Sequence, residues 1–258
     1  MYFDEFDGTD SVLQAGDFRE KNENLPKTCL SFFSKSIIDL FLNNYSYEIV
    51  DYISNANMKF PVYKCRINEV EILVFQAAVG ASACVSNFEE LIHMGVEKIV
   101  LVGSCGCLIN MEEFMFVLPT FALRDEGTSF HYLKASDEVE IDVRMMHLIK
   151  LFFEENSICF NEGKVWTTDA IFRETRNKIT KARDAGAIAV DMECSAMQAV
   201  AYFRNIHFGQ IFYTLDNLSS DVYAPRHMIE ENDSSKSIEE LILSICLDCA
   251  SIIAKKEF

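Results

Sequence analysis

Three acidic positions carry most of the chemistry this sequence offers, and each stands where an apolar run ends. Asp191-Met192-Glu193 closes the run Ile188–Met192 and opens a stretch of helical period. Two carboxylates around an apolar residue at such a junction are costly if buried, so they need partners. Glu193 can accept two hydrogen bonds from a vicinal diol, as a ribose 2′/3′ pair offers. An acid placed at a helix N-terminus by the macrodipole is the plainer reading. Asp216 ends Gln210-Ile211-Phe212-Tyr213-Thr214-Leu215, the most apolar segment of this kind. A carboxyl at the mouth of a hydrophobic strand holds its proton to higher pH and can deliver it to a leaving group. An Asx turn with Asn217 is the alternative there.

Gly103-Ser104-Cys105-Gly106 follows the strand-like Ile99–Val102 and reads as a loop. Gly103 and Gly106 allow close backbone approach and Ser104 adds a hydroxyl, so the segment can present N–H groups to a phosphate or ribose oxygen. It is neither GxGxxG nor a P-loop with its lysine. A tight turn with a core cysteine fits these residues equally well. Arg124 to Tyr132 is the densest polar segment, offering Arg124 to an anion and His131 to a hydroxyl, or else forming a surface loop. Trp166-Thr167-Thr168-Asp169-Ala170-Ile171-Phe172 mixes aromatic and hydroxyl residues in a way that suits a flat ring, or a core strand ending.

The elements that must position these groups alternate in type. Strands are expected at Val70–Phe75, Ile99–Val102, Phe116–Leu123, Ile188–Met192 and Phe208–Leu215. Helices are expected at Ala81–Gly95, Val143–Glu155, Thr175–Ala185, Ser195–Arg204 and Lys236–Lys255, the first stopped by Gly95. Alternation with nearly all-apolar strands implies an α/β fold of three layers, with a mainly parallel or mixed sheet covered by helices on both faces. In such folds the ligand site lies beyond the C-terminal ends of the strands, which selects Gly103–Gly106, Asp191-Met192-Glu193 and Asp216-Asn217. No repeat or Pro/Gly-rich linker divides the chain, so residues 1–258 read as one domain, with 1–25 as an N-terminal extension.

Composition narrows the partners. The 258 residues hold 23 Lys+Arg against 40 Asp+Glu, a net charge of −17. Sequence-independent binding to nucleic acid or to an anionic membrane needs a basic surface, so neither partner is expected. Half the residues are hydrophobic and 21 are Phe, which excludes disorder. The nine cysteines are odd in number, and Cys84, Cys105, Cys107, Cys194, Cys246 and Cys249 sit inside apolar runs, as free core thiols in a reducing cytoplasm would. Neither Cys105/Cys107 nor Cys246/Cys249 has the second pair a zinc site needs. The acidic N-terminus lacks a signal-peptide pattern and no apolar stretch reaches the ~18 residues of a membrane span. A cytoplasmic protein is expected.

Five segments in order, VGSCG (Val102–Gly106), RDEGTSFHY (Arg124–Tyr132), TTDAIF (Thr167–Phe172), VDMECSA (Val190–Ala196) and YTLD (Tyr213–Asp216), resemble the nucleoside phosphorylase-I family. That family includes uridine phosphorylases and hexameric-type purine nucleoside phosphorylases. RDEGTSFHY is more similar to the uridine version and the Asp of YTLD to the purine version. The resemblance implies a distorted central sheet, homo-oligomers built from dimers (a dimer or a hexamer), and inorganic phosphate as co-substrate with no metal or organic cofactor. It implies that Met192 and Glu193 bind ribose, with Asp191 beside them. By the same likeness Ser104 and the amides around Gly103 contact phosphate, and Asp216 serves N7 of a purine. Ile171 and Phe172 then flank the base and sugar, with Arg124 and His131 as pocket neighbours.

This chain departs from the family at the anion. Where Gly-Asp-Pro-x-x-Arg usually begins the phosphate site stands Ser31-Phe32-Phe33-Ser34-Lys35, with Lys35 for the arginine. Leu101 replaces a second phosphate-binding arginine, and Thr175 and Asn177 stand near the usual uracil-reading Gln and Arg. Lysine lacks the guanidinium fork; Arg124 or Arg173 would have to compensate. The leading expectation is a nucleoside phosphorylase acting on a nucleoside and phosphate. A nucleosidase using water and a non-catalytic binding member of the fold are the alternatives. Tyr2, Phe3 and Phe6 offer aromatics that can complete a neighbouring subunit's site, or form a loose tail.

Overall fold

Ten strands form one mixed sheet in the computed structural model, which describes residues 6–56, 58–220 and 233–257. In chain order the elements are β1 (Thr28–Phe32), α1 (Lys35–Asn44), β2 (Tyr47–Ser54), β3 (Lys59–Ile67), β4 (Val70–Gln76), α2 (Ala81–Met94), β5 (Lys98–Cys107) and β6 (Phe116–Asp125). They continue with β7 (Glu138–Glu140), α3 (Val143–Glu155), β8 (Phe160–Thr168), α4 (Arg176–Asp184), β9 (Ala187–Asp191), α5 (Cys194–Arg204), β10 (His207–Asn217) and α6 (Asp233–Ala254).

The strand order is β10-β6-β8-β9-β5-β1-β4-β3-β2, with β7 on β6 and a further pairing of β10 with β5. That last pairing closes β5, β10, β6, β8 and β9 into a ring, while β1, β4, β3 and β2 extend from β5 as an open sheet. This closure is the distortion of the central sheet. β5 is the hinge of the arrangement. On one edge it pairs with β10 along its length. On the other it pairs with β1 up to Val102 and with β9 only at Gly106 and Cys107. β1 and β9 therefore diverge across Gly103–Cys105, and a crevice opens where the strand order switches, as the rule for α/β sheets requires.

Two apolar cores lie on opposite faces. Phe75, Phe88, Leu91, Leu101, Met197 and Phe212 belong to the one under α2 and α5. Phe32, Phe41, Ile149, Phe153, Ile211 and Leu247 belong to the one under α1, α3 and α6. Helix ends follow local chemistry. Ser34, Asp142 and Thr175 accept backbone N–H bonds at the starts of α1, α3 and α4, and Gly95 ends α2 at a φ of 124°. Among the described residues no helix is long and apolar enough to cross a membrane. The six cysteines placed in apolar runs are buried, with Cys29 and Cys65, whereas Cys159 is exposed. Tyr2 and Phe3 lie outside the described residues; Phe6 meets Phe203 edge-on, ring centroids 6.1 Å apart.

Candidate active site

The crevice is a cavity of about 570 Å³ whose wall holds Ser104, Ile171, Phe172, Glu174, Asp191, Met192, Glu193 and Asp216. Seven of these eight were expected from the sequence, and they come from four separate segments. β9 delivers Asp191, the turn after it Met192 and Glu193, β5 Ser104, β10 Asp216, and the short helical turn after β8 Ile171 and Phe172.

Glu193 is held from two sides. It is 6% exposed, and its Oε1 accepts the Gly80 N–H at 2.5 Å. Gly80 takes a φ of 96°, which favours glycine, and stands at the start of α2, so the positive end of that helix faces the carboxylate. Burial first, and then the charge of Asp191, push the Glu193 carboxyl up to about 8.

Asp191 serves the protein's own backbone. One of its oxygens accepts Glu193 N–H at 2.8 Å and Cys194 N–H at 2.6 Å, and the other accepts the Thr167 hydroxyl at 2.6 Å. It thus caps α5 and fixes the turn that presents Glu193. Burial raises its carboxyl to about 6, against the pull of those three bonds. Its place in the sequence suggests a substrate ligand; its contacts make it a positioning residue. Behind it, Ser195 N–H donates to Thr167 Oγ1 (3.1 Å), Ser195 Oγ to Glu126 (2.9 Å), and Ser129 N–H to Glu126 (2.9 Å). The backbone of α5 is in this way tied to the loop after β6. Trp166, next to Thr167 and 3% exposed, donates its indole N–H to Asp125 at 3.1 Å.

Three expected residues are elsewhere. The Arg124 guanidinium folds onto its own loop, donating to Ser129 Oγ, Lys134 O, Ser136 Oγ and Leu133 O, with the Phe130 ring 4.2 Å away. Those donors are committed, so Arg124 builds the loop and does not reach the cavity. His131 is exposed and lines a different, larger cavity of about 900 Å³ with Asp7, Glu89 and Phe203. Lys35 opens α1, is exposed, and pairs with Asp39 one turn on. One further reading changes. Gly103–Gly106 is strand, paired with β10, and not a loop, while Phe33 covers Gly103 so closely that a Cβ there would lie 2.7 Å from the ring. Thr175 caps α4, accepting Lys178 N–H, at the start expected for that helix.

Glu174 is the acid that sequence reasoning missed. It follows the Ile171–Arg173 turn, and nothing in its neighbours' pattern marks it as inward-facing. Four carboxylates thus line the cavity with no Lys, Arg or His among the described residues of its wall. Such a site can grip hydroxyls and N–H groups and hold protons; it offers an anion only dipoles and hydroxyls.

The chain belongs to the phosphorylase superfamily, whose family model matches residues 37–250. A guanosine phosphorylase of Halorubrum lacusprofundi is 24% identical over 163 residues, 63% of this chain and 68% of that protein. Among solved structures, the uridine phosphorylase of Vibrio fischeri ES114 aligns with a TM-score of 0.74 at 18% identity, over 94% of this chain and 99% of that one. An AMP nucleosidase from Bacteroides thetaiotaomicron aligns at 0.69 and 20% identity, over 91% of each chain. These two likenesses establish the fold, with its mixed sheet between helices.

Proposed function

We propose that the protein cleaves the N-glycosidic bond of a purine (deoxy)ribonucleoside with inorganic phosphate, releasing the free base and the pentose 1-phosphate. The observation that carries this reading is that Met192-Glu193 and Asp216 face one cavity of about 570 Å³, a size suited to a small molecule. Met192 offers an apolar surface to the sugar and Glu193 accepts its hydroxyls. The C1′–N bond breaks with its electron pair going to the base, which takes a proton from Asp216 at N7, while a phosphate oxygen bonds to C1′. Positive charge building on the ring favours ionised Glu193, so its grip tightens in the transition state. Ser104 offers the anion its hydroxyl. The phosphorylase names of relatives support phosphate as the nucleophile.

The charge of the cavity favours a second reading, in which water takes the place of phosphate. Four acidic side chains, with no Lys, Arg or His among the described residues of the wall, disfavour an anion and tolerate a neutral nucleophile. One experiment separates the two: adenosine, inosine and uridine incubated with and without phosphate, with the sugar product identified. Base release that needs phosphate and yields pentose 1-phosphate is the expected result. Equal release without phosphate, yielding free pentose, establishes hydrolysis; no release from any nucleoside would sink both.

A further inference from the structure

α5 starts without the cap that its own sequence offers. Glu193 is its N-cap residue, and an N-cap side chain ordinarily accepts the N–H of the second or third helical residue. Glu193 makes no such bond; its Oε1 turns instead to the Gly80 N–H at the head of α2, 2.5 Å away. Two other residues cap the helix. Asp191 accepts the Cys194 N–H at 2.6 Å, and Thr167 Oγ1 accepts the Ser195 N–H at 3.1 Å. The parallel register of β8 and β9 sets Thr167 beside Asp191. There the same hydroxyl donates its single proton to Asp191 at 2.6 Å. Thr167 and Ser195 are wholly buried, so bulk water does not stand in for either bond. Ser195 is pinned as well, because its own hydroxyl donates to Glu126, which also accepts the Ser129 N–H.

We propose that Thr167 is a positioning residue for the glycosidic cleavage, its hydroxyl capping α5 in place of Glu193 and so leaving the Glu193 carboxylate to the sugar. The proposal rests on the nucleoside reading above and adds to it a residue that stands behind the cavity wall. Without that hydroxyl the buried Ser195 N–H has no acceptor and Asp191 loses a donor. The N-cap carboxylate is the group placed to answer such an orphan, and Glu193 then turns from the cavity into the helix. Gly80 N–H is left without its acceptor. The grip on the sugar that tightens in the transition state goes with it, so turnover suffers more than ground-state binding.

The test compares the wild type with Thr167→Val, which keeps the shape and removes both bonds, and Thr167→Ser, which keeps both. One readout is the cleavage of adenosine, inosine and uridine with phosphate present. The other is hydrogen exchange of the Gly80 amide by NMR, taken relative to the Leu30 amide of β1 in the same spectrum. Thr167→Val is expected to lower kcat about tenfold or more, with KM within about threefold, and to speed Gly80 exchange relative to Leu30 about tenfold or more. Thr167→Ser is expected to bring each quantity back to within about threefold of the wild type. A threonine that only stabilises the fold would speed both amides alike and leave kcat in place. Three results each overturn the proposal: kcat of Thr167→Val within about twofold of the wild type, Gly80 exchange unchanged relative to Leu30, or a serine variant no better than valine. If the wild type cleaves no nucleoside, the functional reading fails and the Gly80 amide alone decides whether Thr167 holds Glu193 in place. Should Thr167→Val fail to fold, Thr167→Ala takes its place against Thr167→Ser, with the same outcomes.

Discussion

Glu193 holds an electrostatic conflict at the head of α5. Its carboxyl is buried beside Asp191 and raised from an ordinary 4.5 to about 8. A carboxyl that binds its proton more tightly folded than unfolded loses that proton on unfolding, so its contribution to stability falls as pH rises between those two values. Glu193→Gln removes the conflict and keeps an oxygen for the Gly80 N–H. We expect the variant to gain about 1–3 kcal/mol over the wild type at about pH 8 and little at about pH 5. Urea unfolding at the two pH values measures this, and a gain independent of pH would refute the assignment. Under the proposed function, cleavage falls about a hundredfold or more in the same variant, because the sugar loses an acceptor that ionises as positive charge builds on the ring.

At the scale of elements, the site depends on how closely β10 lies against α3. Gly209 of β10 has no room for a side chain, since a Cβ there would stand 2.5 Å from Ile149 Cδ1 and 2.6 Å from Met145 Cγ. Gly209→Ala should therefore cost about 1–3 kcal/mol in chemical denaturation, and an unchanged midpoint would show that α3 yields freely. The same strand shows what the sequence reveals and what it hides. Phe208–Leu215 is legible because an unbroken apolar run is what a strand buried on both faces must be, and it is observed as His207–Asn217. Val143–Glu155 and Ala81–Gly95 are legible from their 3.6-residue period and end within a residue of expectation. β2 and β3 escape notice because β2 is mostly exposed and β3 is broken by Lys64 and Arg66, leaving no apolar run. The strand through Gly103–Gly106 reads as a loop because its two glycines are there for close approach, Phe33 against one and Leu218 and Val190 against the other. For the site, the acids that end apolar strands are legible from that position alone. Arg124 misleads because a guanidinium can satisfy itself on its own loop, and Glu174 escapes because a half-buried position inside a polar stretch has no periodic signal.

For the whole molecule, the net charge of −17 bears on the phosphorolytic reading proposed above. Under that reading phosphate approaches the protein against its long-range field, and the acids of the cavity wall add to the same sign wherever they ionise. Salt screens that repulsion, so the phosphorolytic reading predicts that kcat/KM for phosphate rises about two- to fivefold as NaCl goes from about 20 to about 300 mM, while that for the neutral nucleoside stays flat. A fall with salt would reveal a local positive field that the described wall does not contain. The acid framework has a practical side as well. Trp166 is the chain's single tryptophan, buried one residue from Thr167, which holds Asp191 and the head of α5. Every photon of indole emission thus originates one residue from the Thr167–Asp191 contact behind the candidate cavity, an intrinsic optical gauge of that framework that needs neither label nor engineered fluorophore.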